Sequence, residues 1–157
     1  MKAEIVPATN EHIALIVKNV RMADKLELWA AFCHTPEEAM NEGLRHTTQA
    51  FTGMIDGQPV CMWGVTPICL LTGLGAPWMI GTNLLDRHAF TFMRHCKPQV
   101  LEIFNDYVRL ENYVDVRNVR AIRWLQALGF TVDEDVQPYG IFKRPFRKFW
   151  KEAVNHV

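Results

Sequence analysis

Cys33 and His34 stand side by side and are the residue types from which a nucleophile and its base are made. Sequence neighbours rarely present their side chains to one another, however, and no third group to orient the histidine is identifiable. The pair reads as a buried thiol beside a surface histidine. His88, His95 and Cys96 fall in one helical region, but the two histidines lie two turns apart, too far to share a metal ion without further ligands. No metal is expected. Near the C-terminus, Lys143, Arg144, Arg147, Lys148 and Lys151 interleave with Phe142, Phe146, Phe149 and Trp150. That composition suits phosphate, anionic lipid or an acidic protein surface, unless the aromatics simply pack on the domain and leave the basic heads solvated.

The elements that position such residues are clearest between Tyr107 and Glu134. Val108, Leu110, Asn112, Val114 and Val116 alternate as one face of a strand does. Asn118 can cap a helix in which Ala121, Ile122, Trp124, Leu125 and Leu128 recur at helical spacing, and Gly129 can take the left-handed conformation that ends it. Phe130 and Val132 open a further strand. Asn112 shares its strand face with apolar residues and needs partners there; it could line a pocket where the fourth and fifth strands splay. Trp63, Trp78 and Trp124 each fall on an apolar face and read as core.

Asn118, Ala121, Ile122, Leu125, Gly129 and Phe130 resemble the last motif of the GCN5-related N-acetyltransferase (GNAT) superfamily. The resemblance implies an α/β (α+β) fold with a mixed, mostly antiparallel central sheet flanked by helices. It also implies a site for acetyl-CoA, which active members hold by an Arg/Gln-x-x-Gly-x-Gly/Ala turn after the fourth strand. There, free backbone N–H groups and the helix dipole bind the diphosphate. The matching stretch, Ile80 to His88, holds Gly81 and no second glycine. Asp86, placed as an N-cap, would bring negative charge to the phosphate position. Many active members also carry a tyrosine that protonates the departing thiolate. Leu125 stands at that position and has no proton to give; Trp124 beside it is no useful acid, and Tyr107, Tyr113 and Tyr139 are the tyrosines that could substitute.

Gly57-x-Pro59, Trp78-x-x-Gly81-Thr82, Leu110-x-Asn112-Tyr113-Val114-x-Val116-x-Asn118 and Ile122-Arg123-x-Leu125-x-x-x-Gly129 are similar to the acetyltransferase-like internal virion proteins of T7-like bacteriophages. The likeness runs from the hairpin to the C-terminal strands, and the N-terminal third aligns by element order alone. It implies a non-catalytic accessory of virion assembly or DNA ejection, with phage structural proteins as partners and no cofactor, residing in the bacterial host cytoplasm or in the virion. The alternative is an N-acetyltransferase with a degenerate diphosphate loop. In that case Met79, Ile80 and Gly81 would align the pantetheine arm, Gly81, Thr82 and Asn83 would approach the phosphates, and Asn118 would lie near the arm.

Composition fits one domain. The chain has 157 residues, 49% of them hydrophobic, enough for a sizeable core. Seventeen basic residues balance seventeen acidic ones, so overall charge does not favour nucleic acid or anionic membrane. Cys33, Cys61, Cys69 and Cys96 form no CxxC pair and follow no signal peptide, which points to reduced thiols and cytosolic synthesis. The apolar stretch from Ile68 to Ile80 is too short and too broken by glycine and proline to span a bilayer.

The expected order begins with a strand at 3–7 and a helix capped by Thr9 or Asn10. An apolar patch follows at 26–32, then a helix from Thr35-Pro36 to about Arg45, so that two helices precede the sheet. Strands at 49–55 and 59–65 flank an Asp56-Gly57 hairpin turn, and a strand at 77–82 follows. A long helical region from about 86 to 107 must be kinked or restarted by Pro98. After the strand and helix of the motif, 130–135 and 139–144 should close a hairpin around Gln137-Pro138. The domain is expected over 1–144 and a basic, aromatic tail over 145–157, so that deletion after Pro145 should leave a folded domain.

Overall fold

A computed structural model describes residues 1–154. In chain order these residues form β1 (Ala3–Pro7), α1 (Asn10–Ile16), α2 (Met22–Phe32), α3 (Pro36–His46), β2 (Ala50–Ile55), β3 (Gln58–Cys69), β4 (Leu74–Gly81), α4 (Asn83–Arg87) and α5 (Ala89–Phe104). Then come β5 (Arg109–Asp115), α6 (Val119–Ala127), β6 (Thr131–Val132), β7 (Gln137–Tyr139) and β8 (Arg144–Glu152). The strands make one sheet in the order β1-β2-β3-β4-β5-β8-β6, with β7 also paired to β8. Every pairing is antiparallel except β4 with β5. The expected mixed, mostly antiparallel sheet flanked by helices is therefore present.

Local chemistry explains the boundaries. Thr9 caps α1 and Thr35 caps α3, with Pro36 at the first turn. Asp56 and Gly57 turn β2 into β3 with φ of 47° and 79°, the conformation a two-residue hairpin needs. Asn118 caps α6 by accepting the N–H of Ala121, and Gly129 leaves the helix at φ 89°.

Helices cover both faces of the sheet. On one, Ile13, Ile16, Val20 and Met40 pack against Met62 and Ile80, beside Ala30, Ala31 and Phe146. On the other, Phe92, Cys96, Val100 and Phe104 of α5 pack against Trp63, Leu110, Val114, Phe130 and Phe149, a run of edge-to-face aromatic contacts.

Several expectations are corrected. Residues 26–32 are the greater part of α2, so three helices, not two, precede β2. Asp86 is not a cap: Thr82 caps α4 through Leu85 N–H, and Asp86 lies inside the helix. A break at His88 separates α4 from α5, which runs through Pro98, giving up only the bond its missing N–H would make. Residues 140–143 are the turn between β7 and β8, not a strand, because Gly140 and Lys143 adopt φ of 78° and 53°.

The largest correction is at the C-terminus. Residues 144–152 pair with β5 over seven positions and also hold β6 and β7. Phe146 and Phe149 are buried on opposite faces of the sheet. What composition marked as a tail beginning at residue 145 is an inner strand through residue 152. The end of that predicted tail, residues 155–157, lies outside the described residues.

Candidate functional site

β4 and β5 pair only at Leu74 with Arg109 and Gly75 with Leu110; beyond that they part. Pro77 has no N–H with which to continue a ladder. Its carbonyl instead accepts Asn112 Nδ2 at 2.9 Å, while Asn112 Oδ1 accepts Tyr113 N–H at 2.8 Å. The Asn112 amide thus spans the gap and is satisfied on both its atoms, as a half-buried amide requires.

The pleat decides what faces the gap. Thr82 N–H donates to Val60 of β3 at 2.9 Å, so its alternate neighbours, Gly81 and Met79, turn their N–H and C=O away from β3 toward β5. At Gly81 both groups are used: Asp24 Oδ2 accepts the N–H at 2.8 Å and the carbonyl accepts Arg21 N–H at 3.0 Å. At Met79 neither has a protein partner among the described residues.

A cavity of about 640 Å³ runs through this opening. On the α5–α6 face its walls include Phe92, Trp124, Leu125 and Leu128; on the α2 face they include Trp78 and Tyr113. It is therefore open to groups from both faces of the sheet and is mainly apolar, as small-molecule sites are.

Where a diphosphate turn would lie, the chain has built an internal ion cluster. Arg21 makes two hydrogen bonds to Asp24 Oδ2, from Nε at 3.0 Å and Nη2 at 2.8 Å, and reaches Asp86 Oδ1 at 3.1 Å. Arg120 holds the other oxygen of Asp86 at 2.8 Å, and Asn118 Nδ2 donates to Asp24 Oδ1 at 3.1 Å. Burial alone would lower the Arg21 pKa, but Asp24 and Asp86 overcome it and hold the guanidinium above its usual value. Asp86 is thus neutralised by two arginines rather than presented as free negative charge, which corrects the electrostatic objection raised by its sequence position.

Glu27, one turn along α2 from Asp24, also lines the cavity. Its Oε1 accepts Asp115 N–H at 2.7 Å. Burial pushes its pKa up to about 8, opposed by that hydrogen bond and reinforced by Asp24 and Asp115. Sequence reasoning missed this residue, because an isolated glutamate on an amphipathic helix carries no spacing signal. Tyr139, stacked on Tyr113 with centroids 4.2 Å apart, lines the same wall; burial, then Tyr113 and Glu27, raise its pKa.

The sequence-selected residues are distributed as follows. Met79, Ile80, Gly81, Thr82 and Asn83 are contiguous from the end of β4 into α4, and Asn118 reaches the same region through Asp24. Thr82 is consumed locally, donating to Val60 O and capping α4. Leu125 lies in the cavity wall. Tyr107 packs beside Gly75 at the closed end of the β4–β5 pair, whereas Tyr113 and Tyr139 face the cavity. Cys33 ends α2 with φ of 54° and is half-buried, not fully buried; the His34 ring lies tilted against Phe32, with centroids 5.8 Å apart. Of the basic set, Lys148 pairs with Glu111 at 3.4 Å and all but Lys143 lie within β8. They form no detached patch.

No protein-family model and no curated protein matches the chain. Solved structures do. An acetyltransferase of the GNAT family from Streptococcus pneumoniae superposes with a TM-score of 0.62 at 13% identity, covering 98% of this chain and 100% of that one. A spermidine N-acetyltransferase from Vibrio cholerae in complex with CoA and spermine gives 0.69 at 10% identity over 96% and 95%. The ribosomal-protein-S18-alanine N-acetyltransferase from Escherichia coli gives 0.66 at 11% over 99% and 97%. The chain has the GNAT fold across its length. Nothing in these similarities points to a bacteriophage or a virion.

Proposed function

We propose that this chain is an N-acetyltransferase that takes its acyl donor, acetyl-CoA, by the pantetheine arm. The observation that carries the reading is the parted β4–β5 pair, with the N–H and C=O of Met79 turned into an apolar cavity reached from both faces of the sheet. An amide-bearing chain fits that edge as an added strand would, exchanging main-chain hydrogen bonds with Met79, while Trp124, Leu125 and Leu128 supply the apolar wall. The bound donor supplies an activated acyl thioester. The chain's part is to align it, exclude water and present an amine from the α2 face.

The residues fit the arm better than the phosphates. A second glycine is missing, Asp24 occupies the Gly81 N–H, and a Cβ at Gly81 would lie 3.0 Å from Arg21 Nε. The expectation that no cofactor binds gains no support from the CoA-bound neighbour of the same fold, and the donor is assigned here to the arm-binding half of the site.

Calorimetry with acetyl-CoA, alongside thiol release in the presence of primary amines, tests the reading. Micromolar binding is expected. S-acetylpantetheine, which lacks the nucleotide and diphosphate, should bind within about tenfold of acetyl-CoA, a difference near 1.4 kcal/mol. Met79→Pro removes one N–H without touching the β3 ladder and should weaken both ligands by about fivefold or more, the net worth of a hydrogen bond. No heat at millimolar acetyl-CoA would end the proposal.

A further inference from the structure

The α2 face of the cavity holds a carboxyl group that the ion pairs around it leave out. Asp24 is matched by Arg21, Asp86 by Arg21 and Arg120, and Asp115 by Arg117, which reaches it at 2.6 Å. Three acids thus meet three arginines. Glu27 sits among them, bonded to Asp115 N–H and facing the cavity, and makes no ion pair among the described residues. The groups that face it are Asp24 on its own helix, Asp115 and Tyr113 on β5, Arg117 and Asn118 at the head of α6, and Tyr139 on β7. Once ionised, Glu27 would leave the site one positive charge short.

Aromatic rings adjoin that carboxyl. Tyr113 and Tyr139 are stacked, and Phe32 meets Tyr139 edge-on at 6.5 Å. All three line the cavity with Glu27. A carboxylate beside aromatic faces is the chemistry that holds an ammonium group, by charge on one side and by ring quadrupoles on the other.

We infer that this wall is the acceptor subsite, in which Glu27 pairs with the ammonium of a primary amine and takes its proton, while Tyr113, Tyr139 and Phe32 enclose the carbon chain that bears it. The transfer half of this inference rests on the acyl-transfer reading; the ammonium-binding half does not. One proton passes from the ammonium to the Glu27 carboxylate. The freed nitrogen lone pair forms the C–N bond to the thioester carbonyl carbon, the C–S bond breaks, and its electron pair leaves with sulfur. The second nitrogen proton, lost as the amide forms, neutralises the thiolate, so no separate acid at Leu125 is required. Glu27 is raised toward neutrality when the site is empty, so it ionises as the cation arrives and can take a proton from it in turn.

The test uses the full chain without acetyl-CoA. Titration calorimetry with n-butylammonium at pH 7, in buffers of differing ionisation enthalpy, should show release of close to one proton per amine bound, because Glu27 gives up its proton to form the pair. n-Butanol, with the same carbon chain and no charge, should bind at least about tenfold more weakly. Glu27→Gln, whose amide oxygen can still accept Asp115 N–H, should abolish the proton release and weaken n-butylammonium by about tenfold or more. Zero proton release by the native chain, equal binding of butanol, or an unchanged Gln variant overturns the inference. The first two readouts decide even if that variant fails to fold. Amine binding that behaves as expected beside a failure to bind acetyl-CoA would remove only the acyl-transfer reading. Thiol release from acetyl-CoA whose rate and pH profile ignore Glu27→Gln would remove only Glu27.

Discussion

The Asp24 carboxylate on α2 accepts the main-chain N–H of Gly81 at the end of β4, 2.8 Å away. Across a span of 57 residues, this bond puts a protein anion on an amide that faces the β4–β5 gap, and it ties α2 to the strand that bears the Met79 edge. The same carboxylate accepts Asn118 and Arg21, so α2, β4, α6 and, through Asp86, α4 meet at one buried point.

Removing that carboxylate should be costly. Asp24→Ala leaves the Gly81 N–H and the Asn118 amide without their acceptor, and leaves Arg21, 4% exposed at its side chain, with Asp86 alone. Breaking a buried pair from one side costs about 3–5 kcal/mol, a fall in Tm of about 10 °C for a domain of this size. Thermal unfolding followed by circular dichroism measures it. A shift under about 2 °C would mean that the cluster contributes little to stability.

How far the sequence disclosed this arrangement depends on the range of the interactions. Thr35-Pro36, Asp56-Gly57, Asn118 and Gly129 act on their own neighbours, and each does in the structure what its type implies. The splay was legible only in part: Pro77 is visible in the sequence as a residue that cannot donate, but the Asn112 prop that spans the gap is set by tertiary placement. Asp86 misled because its charge was read along the chain. Its partners, Arg21 and Arg120, come from elements far from it in sequence. Glu27 was invisible for the same reason, since its chemistry follows from Asp115 N–H, Asp24 and two tyrosines that only the fold assembles. The C-terminal run misled because basic residues alternating with aromatics describe a half-buried strand as well as a docking tail, and only its seven-residue register with β5 distinguishes them.

That register gives a second prediction. Deletion after Pro145 was expected from sequence to leave a folded domain; the sheet requires the opposite. It removes most of β8, strips β6 and β7 of their partner, and takes Phe146 and Phe149 from the two cores. Loss of a buried phenylalanine side chain costs about 3–5 kcal/mol, and two of them rival the whole stability of a domain, about 5–15 kcal/mol. The truncated chain should show neither a cooperative melt nor dispersed amide resonances. A sharp unfolding transition in it would contradict the inner position of β8.

The Glu27 carboxyl makes stability itself depend on pH. Its pKa is raised to about 8 in the fold from an ordinary 4.5, chiefly by burial. Between those values the folded chain keeps a proton that the unfolded chain has lost. The slope of stability with pH therefore carries a negative sign, and stability falls as pH rises through that window. Glu27→Gln cannot ionise and lacks this slope. The variant should gain on the native chain by about 5 °C in Tm between pH 6 and pH 9, with most of the gain below pH 8, where ionisation separates the folded and unfolded chains. Saturating n-butylammonium should close the gap by pairing with the carboxylate, which no purely structural glutamate would show. Parallel Tm profiles for the two proteins across that range would place Glu27 at an ordinary carboxyl pKa and remove the proton acceptor from the proposed subsite.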